Sequence, residues 1–475
     1  MSYRLLTSGL ALLLSACAVG PDYKTPVVPV PKQWHTPTVK PTKTEALIKW
    51  WETFNDPILN QLITDATNAN LDLKQALARV KDARAQRAVT FAAGLPALSA
   101  RSNVNRRLNN SSAGSSQTGG ATSAAGGFGV GNQLINIFQM GFDAQWELDF
   151  FGGARRALEA ADATLAGEEE SSRDVLVTLL GEVARNYIEL RANQQLVKIT
   201  TENVAAQQDT LSLTEIREQS GLTSMLEVTE AQAQLAATQA QLPVYETLAR
   251  QSIYALSVLL GREPGALLAR LDRPGDIPGV TAAIIPDLPS ELLKRRPDIR
   301  RAERQMAAAS ALVGVATAEL YPKINLSAFL GLQNMRISDL TPVGKSWSTA
   351  ATLTVPIFNW GRLKAAIKSK EAQSELAFLT YQSTVLGAFK EVEDALIAYS
   401  KEQQRQQSLT KAVAANQLAV QLANERYRKG LTAFIDVLAS QQALYQSQSN
   451  LAASSAKLSN SLVALYKALG GGWQS

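Results

Sequence analysis

The 475-residue sequence predicts a mixed α and β membrane fold with an internal duplication, in which four strands per chain feed an oligomeric outer-membrane β-barrel and long helices form a tube beneath it. Three observations predict this. One block of sequence recurs about 209 residues later, short runs alternate apolar and polar residues, and helical stretches run far beyond the usual three or four turns.

The chain begins with an address. Arg4 is a small positive n-region, Leu10-Ala11-Leu12-Leu13-Leu14 an apolar stretch too short to span a bilayer, and small residues follow. Leu14-Ser15-Ala16-Cys17 matches a lipoprotein box, and Cys17 is the sole cysteine. Residues 1–16 therefore read as a signal peptide and 17–60 as a lipidated, extended segment. Acyl chains on Cys17 would hold the chain to membrane lipid, each buried methylene adding roughly 0.8 kcal/mol. Ala18 stands where an Asp would signal inner-membrane retention, which favours the outer membrane.

The duplication comes next. Gly221-Leu222-Thr223-Ser224-Met225-Leu226-Glu227-Val228 reappears as Gly430-Leu431-Thr432-Ala433-Phe434-Ile435-Asp436-Val437, an offset of 209. Ala255 to Gly261 returns at the same offset as Ala464 to Gly470, Phe151 matches Phe358 at 207, and Pro96 matches Pro322 at 226. The longer offset reflects a Gly/Ser/Ala insert, Ser111 to Gly131, in the first copy. The repeats are placed at residues 61–265 and 299–472, with a connector at 266–298.

Each copy has the same order of elements. A helix (Leu71 to Ala93; Arg300 to Glu319) runs into a proline break at Pro96 or Pro322. Two strands follow: Ala97 to Leu108 and Leu134 to Asp149 in the first copy, Lys323 to Met335 and Ser346 to Ile357 in the second. Phe142, Ala144, Trp146 and Leu148 interleave with Asp143, Gln145, Glu147 and Asp149, which is strand alternation. Two long helices joined by a Gly-Leu-Thr turn complete the copy. Ala154 to Glu218 contains no proline, and Leu176, Leu180, Val183, Tyr187, Leu190, Gln194 and Val197 form a heptad seam. Leu376, Leu379, Ser383 and Leu386 are expected to begin the matching seam in the second copy.

Four strands cannot close a barrel, and open edges are not tolerated in lipid. The chain must therefore join copies of itself around a polar lumen.

Other chemistry has little to stand on. With one histidine, His35, and one cysteine, no disulfide or Cys/His metal cluster can be assembled, and no cofactor is expected. The net charge of +5 carries no basic block suited to nucleic acid. The run Lys294 to Arg301 reads as the start of a helix at Pro297, its arginines paired with acids such as Asp298 and Glu303. Gly126-Gly127-Phe128-Gly129-Val130-Gly131 lacks the Lys-Ser/Thr of a phosphate loop and reads as a loop at the barrel mouth.

Five motifs in order resemble the outer membrane factor family, TolC-like, in its NodT/OprM lipoprotein branch. They are Ser15-Ala16-Cys17-Ala18-Val19-Gly20-Pro21-Asp22-Tyr23; Trp50-Trp51 with Phe54 and Asp56-Pro57; Trp146-Glu147-Leu148-Asp149; Arg295-Arg296-Pro297-Asp298-Ile299-Arg300-Arg301-Ala302-Glu303; and Leu465-Tyr466-Lys467-Ala468-Leu469-Gly470-Gly471-Gly472-Trp473. The resemblance covers essentially the whole chain. It implies a homotrimer with a twelve-stranded barrel in the bacterial outer membrane, continuous with a twelve-helix periplasmic α-barrel. It further implies a passive exit duct, not an enzyme, for drugs or other toxic compounds. A periplasmic adaptor (membrane fusion) protein and an inner-membrane pump of the resistance–nodulation–division type would complete the system. Two rival readings stay open: a duct for type I protein secretion, and a non-channel periplasmic coiled-coil lipoprotein.

Within that frame the tips are the candidate sites. Gly221, Leu222, Thr223, Gly430, Leu431 and Thr432 are expected to meet the adaptor. Glu227 and Asp436, with Tyr427 and Thr432, are expected at the periplasmic gate, where a ring of carboxylates would attract cations. The chain has Thr432 where some relatives carry Arg, and Ala439 where some carry a second Asp. This leaves closure by hydrogen bonds or by neighbouring leucines.

Overall fold

The computed structural model describes residues 18–35, 45–109, 133–279 and 289–473. The signal, Cys17 and the Gly/Ser/Ala insert lie outside the described residues. The main elements are α1 (Pro57–Ala69), α2 (Leu71–Ala93), β1 (Ala97–Asn109), β2 (Gln133–Leu148), α3 (Gly153–Gln219), α4 (Met225–Gln239), α5 (Leu242–Leu259), α6 (Pro297–Ala318), β3 (Lys323–Asn334), β4 (Lys345–Thr354), α7 (Arg362–Arg428) and α8 (Phe434–Ala468). They follow the expected order in both copies. The second long helix of the first copy is broken between α4 and α5, where Pro243 opens a new helix; its equivalent in α8 is Ala452, and that helix is continuous. Among the described residues no helix is long and apolar enough to cross a membrane.

Backbone contacts divide the chain into two compact units that cut across the duplication. One takes the described residues up to Lys24 with 83–165 and 306–377; the other takes 25–82, 166–305 and 378–473.

In the first unit the strands form one antiparallel sheet in the order β1-β2-β3-β4. The two hairpins are joined through β2 and β3, so the repeats pair with each other, Phe142 opposite Leu330 and Ala144 opposite Ala328. At the paired glycines Gly141 and Gly331 the strands approach so closely that a Cβ on Gly141 would fall 2.6 Å from Leu330 O, and the Phe329 ring covers both.

The second unit holds the main core. Leu180, Val183, Tyr187 and Leu190 of α3 are at most 1% exposed, as the first seam predicts. The second seam is corrected. Leu376, Leu379 and Leu386 are more than half exposed and Ser383 is exposed, while the buried heptad on α7 runs through Tyr381, Val385, Ala388, Val392 and Ala395. Two apolar faces share this helix, and spacing alone does not say which one the chain buries against itself.

The family motifs close this core. Asp56 caps α1, accepting from Ile58 and Leu59 N–H, and takes the Tyr187 phenol at 2.7 Å. Trp50 stacks on Tyr466 with ring centres 5.0 Å apart. Arg296 holds Asp298 through two bonds of 3.0 and 2.6 Å and donates to Ala468 O at 2.9 Å, satisfying a carbonyl at the end of α8. Arg300 pairs with Glu170 and Arg301 with Asp174. The arginines of the basic run pair with acids as expected, Asp298 among them, while Glu303 pairs with Arg304 just beyond the run. Trp473 lies against the guanidinium groups of Arg173 and Arg300, at 4.8 and 5.2 Å.

Candidate functional site

Two surfaces carry the chemistry, one in each unit. The first is the sheet. Because residues directly opposite in an antiparallel pair share a face, the register sorts every side chain. One face carries Leu98, Val104, Phe138, Met140, Phe142, Trp146, Leu326, Leu330, Trp347 and Leu353. The other carries Ser99, Arg101, Asn103, Gln139, Asp143, Gln145, Glu147, Asn325, Gln333 and Thr352. The apolar face is left open: Phe142 and Leu330 are 56% and 66% exposed. A water-soluble sheet would bury that face; a barrel wall turns it to lipid and the polar face to a lumen.

The ends of the strands add a second mark. Trp146, Phe150, Tyr321, Phe358 and Trp360 are exposed where the strands meet their helices. Phe151 stacks on Tyr321 at 4.7 Å, and the Trp146 indole donates to Gly94 O at 3.0 Å. Such a girdle suits a membrane–water boundary, where rings sit among headgroups. β1 and β4, the outer strands of the sheet, have no partner on one side among the described residues.

The second surface is the pair of helix tips in the second unit. Gly221 and Gly430 adopt left-handed φ of 69° and 70°, which lets each chain reverse, and the amides of Leu222 and Leu431 close the turns onto Arg217 O and Arg426 O at 2.8 Å each. Beneath the turns lies a small core of Leu211, Val228, Ala231, Leu235, Tyr427, Phe434 and Val437.

Tyr427 is the centre of this site. It is 2% exposed, and its hydroxyl donates to Glu227 at 2.9 Å. Arg217 lies over its ring at 4.7 Å and donates to its carbonyl at 3.2 Å. Burial, followed by the bond to Glu227, pushes the phenol pKa above its usual value. Asp436 stands apart from this cluster. It is exposed and accepts from Thr432 at the mouth of its own helix. Of the expected gate residues, Glu227 and Tyr427 are brought together, while Thr432 and Asp436 form a separate pair.

The expected tip leucines are exposed, Leu222 and Leu431 both above 60%, whereas Thr223 and Thr432 are half buried. Sequence reasoning missed Leu226 and Ile435, also exposed, and Arg217. Leu226 and Ile435 were visible as equivalents at the offset of 209. Arg217 carried no local signal, since its partner is 210 residues away.

The family described as outer membrane efflux protein matches residues 62–262 and 288–471 of this chain. Nodulation protein T of Rhizobium leguminosarum bv. viciae is 30% identical, over 99% of this chain and 94% of its own. The solvent efflux pump outer membrane protein SrpC of Pseudomonas putida is 33% identical, over 100% of this chain and 99% of its own. Among solved structures, the outer-membrane channel OprN aligns with a TM-score of 0.89 at 34% identity, covering 97% of this chain and 100% of that one. The open state of the Neisseria gonorrhoeae MtrE outer membrane channel aligns at 0.81 and 25% identity, over 96% and 98%.

Proposed function

The chain belongs to the outer membrane efflux protein family, and from that premise we propose that its four strands are one third of a lipid-embedded barrel through which a tripartite pump expels drugs or other toxic compounds. It is an outer-membrane efflux channel, a passive duct and not an enzyme.

The observation that carries the wall is the two-faced sheet with open edges. β4 of one protomer pairing with β1 of the next removes both edges, and three chains then supply a closed ring with an apolar outside and a polar inside. The energy comes from an inner-membrane pump, of the resistance–nodulation–division type, reached through a periplasmic adaptor.

The adaptor meets the exposed apolar tip residues Leu222, Leu226, Leu431 and Ile435, with Gly221, Thr223, Gly430 and Thr432 shaping the turns. The tip is also the gate. The Tyr427–Glu227 bond, backed by Arg217, holds the second repeat's α7 against the first repeat's α4, and parting these helices opens the duct. Asp436 adds an exposed carboxylate per chain near the constriction.

Anchoring at Cys17 is supported by the position of its near neighbour Val19. The Val19 N–H donates to Phe151 O at 3.1 Å, next to the aromatic girdle.

The experiment is deletion of the gene, a toxicity panel, and complementation with wild type, Cys17→Ala and Leu222→Asp/Leu431→Asp, alongside bilayer recordings of the purified protein. Wild type restores resistance and conducts. The double aspartate variant conducts but fails to restore resistance. A purified protein that never conducts, even with Tyr427→Phe, would refute the channel.

A further inference from the structure

We propose that Thr223 is the second seat of the Glu227 carboxylate: Tyr427 holds it in this structure, and Thr223 receives it when Tyr427 withdraws. The inference rests on reading the tip as a closed gate, and the duplication itself displays the alternative.

Thr223 and Glu227 are equivalent to Thr432 and Asp436 at the offset of 209. Each pair brackets the start of a helix, with a threonine just before it and a carboxylate in its first turn. The backbone is the same in both copies, down to the left-handed glycine and the 2.8 Å turn bond. In the second copy the threonine hydroxyl donates to the carboxylate four residues on. The first copy breaks the pattern. Glu227 accepts from Tyr427 instead, and Thr223 Oγ1 is buried with no hydrogen-bond partner among the described residues.

The cause of the asymmetry is one side chain. The residue equivalent to Tyr427 in the first copy is Glu218, so no phenol comes to compete for Asp436. Tyr427 therefore draws Glu227 away and strands the threonine. A buried hydroxyl without a partner is a cost borne only while the gate is shut. When the helices part, Glu227 loses the phenol and gains Thr223 in the geometry that Asp436 already shows. The tip thus has two discrete states with similar hydrogen-bond counts, which is what a switchable element requires. Thr223 is a positioning residue of the open state.

The test is single-channel recording of the purified full-length protein in planar bilayers, with Tyr427 kept so that its phenol still holds Glu227 in the shut state. Adding Thr223→Val should shorten the mean open dwell on the order of tenfold, the weight of one hydrogen bond to a charged group. Thr223→Ser should restore it, and Thr229→Val, at an exposed threonine of α4 whose hydroxyl bonds Met225 O, should leave it within about twofold of wild type. An unchanged dwell with Thr223→Val, or an equal effect of Thr229→Val, overturns the proposal while leaving the gate intact. If neither Tyr427→Phe nor Glu227→Gln raises open probability in an otherwise wild-type protein, the gate reading fails, and this proposal with it.

Discussion

Phe142→Arg puts the orientation of the sheet to a direct test. Phe142 lies mid-strand in β2, with Ala100 and Leu330 directly across from it and over half of its surface bare. An arginine near the bilayer midplane of a barrel costs about 2–4 kcal/mol, hence about 6–12 kcal/mol per trimer. Gln139, three residues earlier, points the other way between Asn103 and Gln333. There an arginine faces a wet lumen and costs about 0.5 kcal/mol or less. The assay is the fraction of chain recovered from outer membranes as a heat-modifiable, detergent-resistant trimer. Phe142→Arg should lose most of it, Phe142→Leu should retain it, and Gln139→Arg should assemble with altered conductance. Equal tolerance of the two arginines, or a worse outcome for Gln139→Arg, would refute the assignment of faces.

Arg296→Met keeps the aliphatic length but leaves Asp298 and the Ala468 carbonyl without their partner, a loss of about 3–5 kcal/mol; Glu391 is 60% exposed and adds little. Melting of the purified trimer should fall by roughly 5 °C, with Arg296→Lys recovering only part because an ammonium cannot span both carboxylate oxygens. Burial opposes charge on Glu402, but the Ser454 hydroxyl with Arg405 and Lys457 holds its carboxyl below the ordinary 4.5. Its stabilisation is therefore complete above that pH and lost as pH falls through the lower folded value, so the melting gap between wild type and Glu402→Gln should close on acidification. Gly430→Ala meets no atom within 4 Å, so only its left-handed backbone penalises it, by about 1 kcal/mol. Exchange of the Leu431 amide should then quicken about fivefold.

Much of this architecture was legible in the chain alone. Alternation along Phe142 to Leu148 and heptads through Leu180 to Leu190 are local signals, because a strand or helix presents its faces at a set spacing. The repeat announced that both hairpins and both tips would recur. The second seam misled because α7 carries two heptad faces, and Leu376, Leu379 and Leu386 lie on the one left open.

Sequence by itself determined the elements, their order, the two-faced strands and the paired turns at Gly221 and Gly430, since each follows from residues close along the chain. Tertiary structure alone decided that β2 joins β3, that Arg296 caps α8, and that Tyr427 takes Glu227 and leaves Asp436 to Thr432. The Arg296 and Tyr427 bonds join groups 172 and 200 residues apart, where competition for one hydrogen-bond partner, not periodicity, settles the outcome.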